Sequence, residues 1–172
     1  VGLHTGKEVS IRILPSKPNT GIVFKRVDLN TNNLIYTNFS NVTNTSLNTT
    51  VENEFGARVS TIEHLMGALF GLGVDNALIE IDNQEVPILD GSAKIFVEKI
   101  LTTGIKSSSA PIKLIKINKK ISYAEGDKKS SLDKSKVASE IDFEIKFKNP
   151  IINTQRNIIN IYEDNLNDII HA

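Results

Sequence analysis

The sequence contains no cysteine, which excludes disulfides, thiolate metal sites and cysteine nucleophiles, and fits a reducing compartment. Net charge is absent as well. Twenty Lys and Arg balance twenty Asp and Glu, so no global field favours nucleic acid or an anionic membrane, and a charged ligand has to be held locally. No apolar run is long enough to span a bilayer as a helix. His-Glu-x-x-His and a Gly-rich phosphate loop are both missing, and the only histidines are His4, His64 and His171. What remains is a chain of 172 residues, 40% apolar, enough for one ordinary domain or two small ones with a buried core. It opens on Val1 rather than Met, so the natural N-terminus is expected to lie upstream. Four triplets beginning at Asn38, Asn41, Asn44 and Asn48 fit the glycosylation acceptor pattern. They read as by-products of an Asn- and Thr-rich stretch, since glycans on all four would crowd one short segment.

Periodicity divides the rest. Val9, Ile11 and Ile13 alternate with polar residues over Glu8 to Leu14, the pattern of a half-buried strand. After the turn residues Pro18-Asn19-Thr20-Gly21, the β-prone Ile22, Val23 and Phe24 suggest a hairpin-like pair over residues 8 to 26. From Ser60 the period changes. Ile62, Leu65, Met66, Leu69 and Leu72 recur at helical spacing, with Ser60 as the expected N-cap, Glu63 as its capping-box partner, and an end at Gly71 or Gly73. Asn76 to Asp82 places Ala77, Ile79 and Ile81 on one face of a strand, and Glu85 to Leu89 is the expected second strand of a hairpin. Asp90-Gly91-Ser92 then turns into a helix over Ala93 to Leu101, with Phe96, Val97, Ile100 and Leu101 as its apolar stripe and Gly104 as its stop.

The stretch Lys106 to Pro111 is small, polar and ends in proline, which is linker chemistry. The expected organisation is a first α+β domain over 1–106, a linker at 107–111 and a second domain over 112–172. In that second domain Ile112 to Ile121 is β-prone, Glu125 to Lys136 reads as a charged loop, and Ile141, Phe143, Ile145 and Phe147 alternate along a strand. Asn157 to Tyr162 is another strand, and a helix is expected to begin at Glu163. Apolar strand faces with almost no helix to cover them mark this second domain as unfinished within the chain.

Glu63 and His64 are neighbours on the first helix, about 100° apart around its axis, with Gly67, Ala68 and Gly71 expected beside them on the side away from the apolar stripe. A carboxylate can take a proton from water and a neutral imidazole can bind zinc, so the pair supplies half of a metal-activated water site. On spacing alone, a capping-box Glu and an ordinary histidine are the simpler account of both. Asp90 is open in the same way: a turn-and-cap residue, or a carboxylate supporting a catalytic group.

Five stretches taken in order resemble the first domain of the UDP-3-O-acyl-N-acetylglucosamine deacetylases of lipid A synthesis. They are Val1-Gly2-Leu3-His4-Thr5-Gly6-Lys7; Asn19-Thr20-Gly21-Ile22 with Arg26 and Asp28; Ser60-Thr61-Ile62-Glu63-His64-Leu65; Gly71 to Asn76; and Glu85-Val86-Pro87-Ile88-Leu89-Asp90-Gly91-Ser92. The resemblance is specific over residues 1 to about 100 and looser beyond Ile112, where Asp142-Phe143 and Asn149-Pro150 keep the expected places.

The resemblance implies two similar small α+β domains, each a sheet packed with two helices, with the second incomplete here. It implies a cytoplasmic, monomeric, zinc-dependent amidohydrolase that removes the N-acetyl group from a UDP-linked acylated glucosamine, with no nucleic acid or transmembrane segment involved. Position by position, Glu63 matches the general base and His64 a zinc ligand. Leu47, Asn48 and Thr49 match a substrate-binding segment, and Asp90 a supporting acid. The remaining zinc ligands would come from a His-x-x-x-Asp pattern, and no histidine of this chain is followed by Asp at that spacing. The 172 residues alone are therefore expected to be inactive, as one piece of the enzyme. The alternative is a non-catalytic truncated relative that binds a sugar nucleotide or a partner protein.

Overall fold

The structure, a computed structural model, describes residues 1–135 and 139–160. The helix expected from Glu163 and the last histidine, His171, lie outside the described residues. The fold is α+β, and the chain divides into two compact units between Ala110 and Pro111.

In the first unit the chain order is β1 (Ile11–Pro15), β2 (Ile22–Arg26), β3 (Leu34–Tyr36), a 3-10 turn at Phe39–Asn41, β4 (Val42–Asn44), β5 (Thr50–Glu52), β6 (Arg58–Val59), α1 (Glu63–Gly71), β7 (Ala77–Ile81) and α2 (Lys94–Thr103). β1, β7, β2 and β3 form one sheet in that order, and β4, β5 and β6 a second. The expected pairing of β1 with β2 is corrected: β7 lies between them, antiparallel to β1 with Ile13 opposite Ile79, and parallel to β2 with Phe24 opposite Ile79. The physical reason is burial. β7 buries Ala77, Ile79 and Ile81 while β2 is buried along nearly its whole length, so both are apolar enough for interior positions, and β1 and β3 take the edges.

The apolar faces of the main sheet and both helices close on one cluster that includes Phe24, Ile35, Leu65, Leu69, Ile79 and Phe96. Each such side chain contributes about 1.5–3 kcal/mol when fully buried. Leu101, expected on the apolar stripe of α2, is exposed instead, because Phe96 and Val97 take the core positions. α2 ends as expected at Gly104, whose positive φ of 90° and N–H to Ile100 O close the last turn. Arg26 ties the two sheets together. Its guanidinium makes a two-pronged ion pair with Asp28 at 2.7 and 2.6 Å and donates to Arg58 O at 2.8 Å. That contact holds the Asp28 carboxyl below its ordinary range.

Two further expectations change. Glu85 to Leu89 is not a hairpin strand: it touches residue 60 through a single parallel bridge, with Ser60 N–H to Gln84 O and Val86 N–H to Ser60 O. The capping box is also absent. Ile62 precedes α1 and makes no side-chain cap bond, because Ser60 Oγ donates to Gln84 O and Glu63 is engaged elsewhere.

The second unit contains two hairpins, β8 (Ile121–Glu125) with β9 (Lys128–Leu132), and β10 (Glu140–Lys146) with β11 (Thr154–Asn160). The charged loop expected over 125–136 is thus largely a hairpin arm: Gly126, at φ 60°, makes the tight turn that lets Glu125 face Lys128. The β-prone run 112–120 is not in a strand. β10 forms where the alternation predicts a strand, but the buried face expected of that alternation is absent: among the described residues β10 is exposed along its whole length, Ile141, Phe143 and Ile145 included. Asp142 and Arg156 cross-link β10 to β11 through a two-pronged ion pair at 2.8 and 2.7 Å.

Candidate functional site

α1 is short because it is bounded by residues that cannot continue it. At its start Thr61 is held at φ 56°, outside the right-handed helical region. At its end Gly73 has φ 66°. Within it, Leu65, Ala68 and Leu69 turn into the core. Ala68, one turn along from His64, is thus buried with the apolar stripe and not on the side away from it as expected. Gly67 and Gly71 do face open space, with nothing near where a Cβ would sit.

Glu63 and His64 are both half-buried at the first turn of α1. The structure brings Thr49 to Glu63: the Thr49 N–H donates to Glu63 Oε2 at 3.0 Å, and Thr49 O accepts from Ile62 N–H at 3.4 Å. The segment Leu47-Asn48-Thr49 is thereby fastened to the start of the helix across the fold. Asn48 turns back on its own loop, accepting from Thr50 Oγ1 at 2.9 Å. Leu47 is 89% exposed at φ 66°, an unusual state for a bulky apolar residue. Glu63 Oε1 and the His64 imidazole make no hydrogen bond among the described residues, so one carboxylate oxygen and a ring nitrogen are left for a ligand or water.

Asp90 sits in the turn before α2, between Leu89 at φ 52° and Gly91 at φ 85°. The Ser92 N–H and hydroxyl donate to its Oδ1 at 3.1 and 3.0 Å. The backbone bond, ahead of the hydroxyl, holds its carboxyl below the ordinary range. No hydrogen bond joins Asp90 to Glu63 or His64 among the described residues.

One carboxylate escaped the sequence reading. Glu85 is 1% exposed, yet it accepts from His4 N–H at 2.9 Å, Thr5 N–H at 2.8 Å and Thr61 Oγ1 at 3.0 Å. Burial alone would raise its pKa. The donors from His4, Thr5 and Thr61 outweigh burial and hold it down to about 2. His4 and Thr5 lie 81 and 80 residues away in the chain and Thr61 lies 24 away, so no spacing rule could have found them; the one sequence hint is an acidic residue directly ahead of the apolar run Val86 to Leu89.

Among the described residues no group of three His, Asp or Glu side chains stands close enough to hold a metal ion. His64 thus offers one ligand, short of the three protein ligands a catalytic zinc takes.

The first unit is an α+β domain that carries a carboxylate and an imidazole at the start of a helix, as one wall of a hydrolytic site would. The family model described as LpxC, UDP-3-O-acyl N-acetylglycosamine deacetylase, matches residues 1–172, and the chain belongs to that family. Curated relatives named UDP-3-O-acyl-N-acetylglucosamine deacetylase include one from Geobacter sp. (strain M21), 44% identical over 155 residues, which are 90% of this chain and 50% of the relative. Another, from Shewanella denitrificans, is 46% identical over 152 residues, 88% of this chain and 49% of the relative. A third, from Cellvibrio japonicus, is 44% identical over 156 residues, 91% and 51% respectively. The chain spans about half the length of the curated relatives it matches.

Proposed function

We propose that the protein containing this chain hydrolyses the N-acetyl group of UDP-3-O-acyl-N-acetylglucosamine in lipid A synthesis, with Glu63 as the general base and His64 as one zinc ligand. The family match over the whole chain carries the reading, and the hold of Thr49 on one oxygen of Glu63 supports it. A base needs a fixed orientation and an uncommitted oxygen, and Glu63 has both. In the reaction a water oxygen adds to the amide carbonyl carbon while its proton passes to Glu63. The carbon–nitrogen bond then breaks, and the proton goes to the leaving amine, giving acetate and a free amino sugar. Zinc, when bound, would supply Lewis acidity to the carbonyl and the water; the described residues do not complete its site.

Leu47, Asn48 and Thr49 would border the substrate, and Asp90 would support the site from the turn before α2. The linker is placed at 107–111, between a domain over 1–106 and one over 112–172. The protein is read as a cytoplasmic monomer, and the 172 residues alone as inactive, since His64 would then compete with water without its fellow ligands.

The test is acetate release from the nucleotide substrate by the full-length protein, with and without a chelator, beside Glu63→Gln. The expected result is metal-dependent release, restored by zinc, and a loss of about 10²–10⁴-fold in the variant with substrate still bound. The rival is a non-catalytic truncated relative that binds a sugar nucleotide or a partner protein. It would show binding without acetate release under every metal condition.

A further inference from the structure

Glu85 takes no part in the reaction as proposed, yet its carboxylate is fixed on every side. Oε1 receives His4 N–H and the Thr61 hydroxyl, Oε2 receives Thr5 N–H, and a Cβ on Gly2 would collide with Oε2. Thr61 is 2% exposed and sits at φ 56°. A β-branched residue in the left-handed region is strained, and such strain persists only where the surroundings over-determine it. Here they do: Ser60 N–H donates to Gln84 O and Val86 N–H to Ser60 O on one side, and the Thr61 hydroxyl donates to Glu85 on the other.

α1 has no side-chain cap to define its first residue. What stops the helix from starting earlier is Thr61. A slip of one residue would rotate every helical side chain by about 100° and carry Glu63 away from the Thr49 N–H. We propose that Glu85 and Thr61 form a positioning pair that sets the start of α1, and so places Glu63 and His64 against the Thr49 segment. The pair acts through the backbone, at residue 61, rather than by touching substrate. Its consequence for catalysis rests on the deacetylase reading; its consequence for geometry does not.

The test uses the full-length protein with Glu85→Gln, Thr61→Val and Thr61→Ser. Acetate release per folded molecule is measured together with the amide resonance and hydrogen exchange of Thr49, which report its bond to Glu63. Thr61→Val lacks the hydroxyl and Thr61→Ser keeps it. Glu85→Gln and Thr61→Val should lose about a hundredfold in kcat, the scale of a small misplacement of a catalytic group, with KM changed by less than about threefold. Their Thr49 amide should shift and exchange faster, and Thr61→Ser should restore both readouts to near the parent values.

Folded Glu85→Gln and Thr61→Val proteins with parental kcat and an unmoved Thr49 amide would overturn the proposal. So would a fall in kcat with that amide unmoved, which would locate the effect elsewhere. If Glu85→Gln does not fold, the contrast between Thr61→Val and Thr61→Ser decides the question by the same two readouts. If the parent protein releases no acetate, the deacetylase reading fails, and the Thr49 amide alone then supports or overturns the positioning pair.

Discussion

Replacing Glu85 by Gln should destabilise the protein by an amount that depends on pH in one direction only. The carboxyl is held at about 2 against an ordinary 4.5, and a tenfold change in proton affinity corresponds to about 1.4 kcal/mol. The hydrogen-bonded, ionised Glu85 therefore contributes about 3 kcal/mol to folding at neutral pH. Because the folded-state value is the lower one, the contribution is fully present above the unfolded-state value of about 4.5. It fades as pH falls, with about half gone near pH 3 and nearly all gone by about pH 2. In Glu85→Gln the amide nitrogen meets a backbone or hydroxyl donor where the carboxylate had an acceptor, so the loss at pH 7 should approach that whole figure. Other carboxyls held low, Asp28 by Arg26 and Glu80 by Arg12, are common to both proteins and cancel in the difference. Urea denaturation of parent and variant at pH 7, 5, 4 and 3 measures the gap directly. A gap of about 3 kcal/mol at pH 7 and 5 that narrows toward pH 3 is expected; a gap that is constant across the series, or below about 1 kcal/mol at pH 7, would refute the reasoning.

Gly2→Ala should be destabilising by about 2 kcal/mol or more, read as a lowered melting temperature, because its Cβ would meet Glu85 and Thr5 side chains that are already hydrogen-bonded and cannot yield. Leu65→Ala removes a fully buried side chain from the cluster between sheet and helices, and chemical denaturation should show a loss of about 2–5 kcal/mol. Limited proteolysis should cut first within residues 107–111, yielding a resistant fragment that carries Glu63 and His64; mass spectrometry of the first products checks it.

The parts of the fold that could be read along the chain are those governed by local geometry. The alternation of Ala77, Ile79 and Ile81 and the helical spacing of Leu65 and Leu69 are set by which side chains share a face within one element, and the structure buries those residues. Gly104 as a helix stop is equally local, since only glycine takes its φ of 90° without strain. Where the reading failed, a distant partner had intervened. Ser60 and Glu63 match a capping box, but Gln84 O takes the serine hydroxyl and the Thr49 N–H takes the carboxylate. β1 and β2 match a hairpin until β7 enters between them.

The candidate site divides in the same way. Residue order alone marked Glu63, His64, Leu47, Asn48, Thr49 and Asp90 through their resemblance to one family, and the family match extends over the whole chain. Only the tertiary structure decided that Thr49 lies against Glu63, that Ala68 belongs to the core, and that Glu85 joins the first turn of the chain to Thr61, two residues ahead of α1. Periodicity is a property of neighbours in sequence, whereas a buried carboxylate finds its donors wherever folding brings them. For Glu85 those donors are His4, Thr5 and Thr61, which come within hydrogen-bonding distance only once the sheet and helix have packed.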